Sequence, residues 1–108
     1  MLFKKTRPSP TELVVTEDGF IKTGEESVAV KWNDITKVVG YKLDHFTTDE
    51  ILFDVYASAQ MVIVSEEFAG YKEWVKAIEK KLPNFDPNWW VKVAQPPFAT
   101  NLTVLFER

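Results

Sequence analysis

Cysteine is absent from the chain, and histidine occurs once among its 108 residues. Without cysteine there is no disulfide framework, no thiol nucleophile and no thiolate metal site, which excludes zinc fingers and cysteine hydrolases together. The single histidine, His45, has no second imidazole to complete a ligand set. The missing cysteine leaves the compartment open, although a reducing cytoplasm fits it.

Glycine and long apolar runs are also scarce. The 4 glycines form no phosphate-binding loop, and no serine lies in a nucleophile elbow, so the usual nucleotide and serine-hydrolase chemistries are not supported. No stretch approaches the ~20 consecutive apolar residues that span a bilayer. The amino terminus lacks the apolar centre of a secretory signal, so we predict a cytoplasmic protein. Because the sequence shows neither a phosphate-binding loop nor a metal-ligand set, we also predict no cofactor.

Positive charge is in deficit, because 13 Lys and Arg stand against 16 Asp and Glu for a net charge of −3. Nucleic acids and anionic membranes both require a concentrated basic face, and here the lysines are spread along the chain. We therefore expect no nucleic-acid partner.

The remaining composition, 45% hydrophobic and 27% charged, is that of a soluble globular protein. A chain of this length can bury a core without covalent staples. We predict a single domain over 1–108, with a core at 12–82 and a tail at 84–108 packed on it.

One long segment, 66–82, carries apolar residues at helical spacing. Ser65 is a credible helix cap before an acidic first turn, and Pro83 prevents continuation of the helix. The apolar stripe of this helix needs a sheet to cover, and it consists of Phe68, Tyr71, Val75, Ile78 and Leu82.

Short β-rich segments surround the helix. Glu17, Asp18 and Gly19 supply the turn of a first hairpin between 13–16 and 20–23. Asp86 before Pro87 signals a short helical turn at 88–93. In segment 51–57, the face carrying Ile51, Phe53 and Val55 is assigned to the core. Further strands are predicted at 28–32, 35–43, 61–64 and 102–106.

These elements predict an α+β fold: an antiparallel β-barrel or strongly curved sheet of about six or seven strands, capped by one amphipathic α-helix. The tail adds a short helical turn and a final strand. Another small fold with one helix on an antiparallel sheet, such as a cystatin-like fold, is the alternative.

Two local features carry a family resemblance. Trp32, Asn33, Asp34 and Ile35 form a Trp-x-Asp-Ile pattern between two strands, and 61–67 is an apolar strand running into an acidic helix start. Over 12–82 the chain resembles bacterial members of the pleckstrin-homology-like superfold. The resemblance implies a curved barrel closed at one end by a carboxy-terminal helix, whereas the tail at 84–108 extends beyond the usual domain.

Phosphoinositide-binding members of that superfold hold the phosphates with basic residues that flank the first hairpin. This chain has Glu17 and Asp18 in that turn, with only Lys22 nearby. Two carboxylates repel a phosphorylated headgroup, so we do not expect phosphoinositide or membrane binding.

Asp44, His45, Asp49 and Glu50 form the one polar cluster with metal-binding or catalytic residue types. A divalent cation could use these side chains, and a hydrolase could use His45 as a base. Turn chemistry alone also predicts such a segment, so we interpret it as a solvated hairpin loop and assign no metal or catalytic residue.

Aromatic and basic residues near the carboxy terminus are the candidate binding residues. Trp89 and Trp90 are adjacent and point in different directions, so one can reach the core while the other stays near the surface beside Phe98. Lys72 and Lys76 belong to a lysine ridge on the helix that could meet an acidic partner. The alternatives are a tail pinned by both tryptophans and a ridge that is only a solvated face.

The function predicted from these patterns is a non-enzymatic protein-binding module with an unknown partner, for example an inhibitor or immunity-type protein. One alternative is a small hydrolase or metal-dependent activity around His45. Another is a structural subunit that self-associates through an exposed strand such as 102–106, which would make the protein a homo-oligomer.

Overall fold

The computed structural model describes residues 11–45, 48–94 and 102–108 and contains seven strands and two α-helices in that part of the chain. None of the helices in these ranges is long and apolar enough to cross a membrane. The strands are β1 (Leu13–Val15), β2 (Gly19–Lys22), β3 (Val28–Lys31), β4 (Ile35–Asp44), β5 (Asp49–Ala57), β6 (Gln60–Ser65) and β7 (Thr103–Glu107); the helices are α1 (Tyr71–Lys81) and α2 (Trp89–Ala94).

The strands form two antiparallel sheets, with orders β1-β2-β3 and β6-β5-β4-β7. The α+β class is therefore confirmed, and the first hairpin lies where the turn residues predicted it. Within the described ranges no strand pair joins the two sheets, so they do not form a closed barrel. A 3₁₀ turn at Trp32–Asp34 connects one sheet to the other.

Helix α1 begins at Tyr71, five residues later than the sequence predicted. Ser65 does not cap this helix, because its Oγ accepts a hydrogen bond from the Glu67 N–H in the preceding turn, at 3.0 Å. The N-cap is Gly70, whose φ of 85° is left-handed backbone. A Cβ at Gly70 would lie 2.2 Å from the Leu13 carbonyl oxygen, so β1 and the helix start approach each other as closely as glycine allows.

The core lies between the two sheets and both helices. Phe53 on β5 contacts Trp74 of α1 and Trp89 of α2, with ring centroids 5.2 and 5.3 Å apart. Trp74 also contacts Phe20 of β2 at 5.6 Å, so one fully buried indole joins the two sheets. The predicted core face of β5 is confirmed, since Ile51, Phe53 and Val55 are at most 3% exposed.

The tail packs against β4, which is one of the two inner strands of the four-stranded sheet. Helix α2 packs on β4, where the Val93 side chain covers Gly40, and β7 pairs with β4 through Val38 and Phe106. The Arg108 guanidinium then donates hydrogen bonds to the Ile35 and Trp32 carbonyl oxygens, at 2.7 and 2.9 Å. The predicted helical turn and final strand are both present.

Candidate binding surface

The polar hairpin between β4 and β5 does not gather its acidic residues at one point. Asp44 pairs with Asp49 at the end of the ladder, and the His45 N–H donates to the Thr48 carbonyl oxygen at 2.7 Å. The Asp49 carboxylate lies 3.5 Å from the buried Lys42 ammonium. Glu50, the next residue along the strand, points to the opposite face. The sheet alternation therefore separates the two carboxylates.

Glu50 stands between a serine and a histidine. The Ser65 hydroxyl donates a hydrogen bond to Glu50 Oε2, and His45 Nε2 lies 2.8 Å from Glu50 Oε1. The hydrogen bond from Ser65 is the main reason that the Glu50 pKa lies below its ordinary value; the contact with His45 acts in the same direction, and burial opposes both. A hydrolytic triad needs the histidine on the serine, whereas here both groups bind the same carboxylate. His45 therefore has no contact through which to activate Ser65.

The same carboxylate cluster has a clear structural role. The Ile51 N–H donates to Glu66 Oε2 at 2.9 Å, and Ser65 connects Glu50 to the turn before α1. These bonds tie the β4–β5 hairpin to the start of the helix. Among residues 11–45, 48–94 and 102–108, no group of three or more acidic or histidine side chains is placed to hold a metal ion.

The two adjacent tryptophans of α2 have different environments. Trp89 is 6% exposed, and its Nε1–H donates to Glu79 Oε2 of α1 at 2.6 Å. Trp90 is 50% exposed, with its ring 5.7 Å from that of Trp89. Trp89 therefore anchors the tail, which leaves Trp90 as the accessible member of the pair. Phe98, the third predicted aromatic, lies outside the described residues.

Lys72 and Lys76 both lie on the solvent side of α1 and are exposed. They remain accessible candidates for an acidic partner, but the helix face that they share also carries Glu73 and Glu79. Neither residue lines the two cavities described below.

Exposed apolar side chains also lie on the side of the four-stranded sheet that faces away from the helices, here called the outer face. On this face Met61 of β6 pairs with Tyr56 of β5, and Val39 of β4 pairs with Val104 of β7. Large apolar side chains that are 37 to 48% exposed lie on all four strands of this face: Leu43, Tyr56, Met61, Ile63 and Val104.

The polar groups inside the outer face are partly paired with each other. The Tyr41 hydroxyl donates to Asp54 Oδ1 at 2.8 Å, and burial together with this bond raises the pKa of Tyr41 to about 12. The Lys37 ammonium lies 5.9 Å from the centre of the Tyr56 ring. A partner that covers this face would therefore meet few unsatisfied polar groups.

The sequence contained a signal for this surface that the core-face assignment did not use. Segment 51–57 has Leu52 and Tyr56 between its core residues, and 61–64 is apolar at every position. A strand that is apolar on both sides is typical of a sheet buried on both faces. In the described residues the inner face is covered by the helices and the three-stranded sheet. On the outer face Leu52 and Ser65 are buried, whereas Tyr56, Met61 and Ile63 are exposed.

A cleft of about 510 Å³, here called the seam cleft, runs along β6 between the two sheets. Its walls are the edge of β6 at 60–63 and the end of the β2–β3 hairpin at 22–28. The Lys22 ammonium crosses it and donates to the Ile63 carbonyl oxygen at 2.8 Å. A second cavity of about 520 Å³ lies at the first hairpin, beside Glu17, Asp18 and Lys81.

Comparison of the chain with protein families, with curated proteins and with solved structures gives no match. The fold creates two candidate binding surfaces, the outer face and the seam cleft. Both are suited to binding, because they combine exposed apolar side chains with a few oriented polar groups.

Proposed function

We propose that this chain is a non-enzymatic protein-binding module whose contact surface is the outer face. The observation that carries the proposal is that each of the four strands presents at least one exposed large apolar side chain on this one face, around the charged residues Lys37 and Asp54. Monomeric soluble proteins rarely expose large contiguous apolar patches, and such patches mark interaction sites. Inhibition of a bound protein, as by an immunity protein, is one concrete form of this function.

The outer face supports a protein partner better than it supports catalysis. The part-buried pair on this face, Tyr41 with Asp54, does not place a base beside a nucleophile. The arrangement of Ser65, Glu50 and His45 also gives no support to a hydrolase centred on His45. Binding energy would come from burying Tyr56, Met61 and Ile63.

Site-specific photo-crosslinking tests the contact surface. A photo-reactive phenylalanine analogue replaces Tyr56 on the outer face or, as the matched control, Lys76 on α1, and each variant is incubated with lysate of the source organism. We expect a protein adduct from position 56 that the added double variant Leu43→Lys with Val104→Lys abolishes. Adducts only from position 76, or adducts lost in Trp90→Ala, would instead place the contact on the helix or the tail and refute this surface.

We also infer that the fold is an open form of a pleckstrin-homology-like barrel. The support is the order of elements: three strands, three strands, and then a helix that packs on β1. The seam cleft would be the place where the barrel stays open. Amide hydrogen exchange tests this: Met61 and Ile63 should exchange much faster than Val62 and Val64. Equal protection of the four amides would mean that β6 is paired on both sides.

Self-association is a second candidate function, because β7 is an edge strand of the four-stranded sheet. Its Val104 is 48% exposed and the preceding Leu102 is 69% exposed. Edge strands with apolar side chains pair readily with other chains. Sedimentation at increasing concentration should then show a dimer that Val104→Lys removes, whereas a monomer at every concentration would exclude it.

A further inference from the structure

The main-chain groups of β6 at Met61 and Ile63 face away from the sheet. The Glu66 N–H donates to the Ile51 carbonyl oxygen, and the ladder from that point pairs Phe53 with Val64. Because hydrogen-bonded pairs alternate along antiparallel strands, Val64 and Val62 bond to β5 while Ile63 and Met61 point outward. The Lys22 ammonium donates to the Ile63 carbonyl oxygen at this unpaired edge of β6.

The Lys22 hydrogen bond sets an upper limit on the width of the seam cleft. An extended lysine side chain spans roughly 6 Å at ordinary bond lengths. With a hydrogen bond of 2.8 Å, the Cα of Lys22 lies within about 9 Å of the Ile63 carbonyl oxygen. Neighbouring strands are about 4.8 Å apart, so this limit is close to two strand spacings and leaves space for at most one added strand. The edge of a second copy would bring its own sheet, for which this gap has no room.

We propose that an extended segment of the partner, with basic and apolar side chains, enters the seam cleft and pairs with β6 as an added strand. Its main-chain N–H would replace the Lys22 ammonium as the hydrogen-bond donor to the Ile63 carbonyl oxygen. This inference rests on the proposed protein-binding function and names the chemistry of the segment that is bound. Strand addition supplies affinity through main-chain hydrogen bonds, and the side chains on either wall supply specificity.

The charge of the cleft selects the basic partner. Glu25 and Glu26 are exposed at the turn that forms one wall. Lys22 is the cation among the residues lining the cleft, and its ammonium is already bonded to β6. An incoming lysine or arginine would meet two carboxylates, whereas an acidic segment would be repelled.

Lys22 protects the free edge when no segment is bound. Edge strands with unpaired main-chain groups pair with other chains, and a lysine placed along the edge opposes this. Burial lowers the Lys22 pKa, and its ammonium lies 5.2 Å from the centre of the Phe68 ring. Release of the ammonium into water offsets part of the cost of displacing it.

The probe is a fluorescein-labelled peptide of about ten residues in which valine and lysine alternate, a length that covers a strand. Fluorescence anisotropy measures its binding to the full chain. Two control peptides carry glutamate in place of lysine, or N-methyl groups on alternate residues that remove the strand donors. We expect the valine–lysine peptide to bind at least about tenfold more tightly than either control.

Two protein variants test the site. Ile63→Pro removes an N–H that points away from β5, so the ladder to β5 stays intact while the added strand loses a partner. Ile63→Ala is its matched control, because it truncates the side chain and keeps the N–H. The double variant Glu25→Lys with Glu26→Lys, on an exposed turn, should reverse the preference toward the glutamate peptide.

Weaker binding in Ile63→Pro than in Ile63→Ala, together with reversal by the charge variant, supports strand addition. If Ile63→Pro fails to fold, the N-methylated peptide and the charge variant decide. Equal binding of all three peptides, or no binding, overturns the inference. In that case crosslinking from Tyr56 still reports separately on the outer face, so loss of strand addition is distinguishable from loss of the binding function.

Discussion

Gly70 shows how a single residue determines where a helix begins. Its left-handed φ of 85° and its contact with the Leu13 carbonyl oxygen exclude any larger side chain. Gly70→Ala should therefore destabilise the fold by about 1–3 kcal/mol, through backbone strain and displacement of β1. Urea unfolding measures the loss.

Gly24→Ala is the matched control for Gly70. Gly24 also has a positive φ, 139°, but the nearest atom to its added Cβ would be the Thr11 hydroxyl oxygen at 3.3 Å, and the nearest main-chain atom would lie at 3.9 Å. Both variants carry backbone strain, whereas only Gly70→Ala carries a clash with the main chain. Equal losses in the two variants would show that close approach to β1 is not what fixes the helix start.

Glu50 should make the free energy of unfolding depend on pH in the acidic range. Its pKa is lowered in the folded state, first by the Ser65 hydroxyl, so the unfolded state binds the proton more readily. The stabilisation is present above the unfolded pKa and is lost as pH falls through the folded value. The free energy of unfolding, measured from about pH 6 to about pH 3, should fall less steeply in Glu50→Gln than in the wild type. Parallel curves would contradict this assignment.

At the scale of elements, α2 is held on the core by one of its two tryptophans. Trp89 fills the space beside Phe53 and donates to Glu79, whereas Trp90 is half exposed. Trp89→Ala should cost about 3–5 kcal/mol and Trp90→Ala less than about 1 kcal/mol. Denaturant unfolding of the two variants gives the comparison, and similar losses would mean that Trp90 also packs on the fold.

Local patterns were sufficient for the elements that local chemistry specifies. The turn at Glu17 to Gly19, the start signal at Asp86 and the alternation in 51–57 each predicted what the structure contains. The start of α1 was missed because helical spacing at 66–70 does not reveal that Gly70 lies against β1. Propensity is a weak prior where a tertiary contact decides the backbone.

Relations between distant elements could not be predicted in the same way. Nothing in the sequence of β7 indicates that β4 is its neighbour, since the pairing depends on the space left beside α2. The separation of Asp49 from Glu50 follows from strand alternation and was missed because the hairpin was treated as one loop. The seam cleft likewise exists only once two sheets face each other.

At the scale of the whole molecule, the shared core predicts cooperative unfolding. Trp74 contacts Phe20 of one sheet and Phe53 of the other, and Trp89 adds the tail to the same cluster. The single-domain prediction therefore requires that tryptophan fluorescence and far-ultraviolet circular dichroism give coincident thermal transitions. An earlier fluorescence transition would indicate that the tail unfolds separately.

The contact of Arg108 with Ile35 has a consequence for biosynthesis. The two residues are 73 positions apart in the sequence. Strand β7 can cover the edge of β4 only after the ribosome has synthesised the residues between them. At roughly 5–20 residues per second, the ribosome needs about 4–15 s to supply it. During that interval a nascent chain presents an uncovered strand that can accept the β7 of a neighbouring copy on the same messenger RNA.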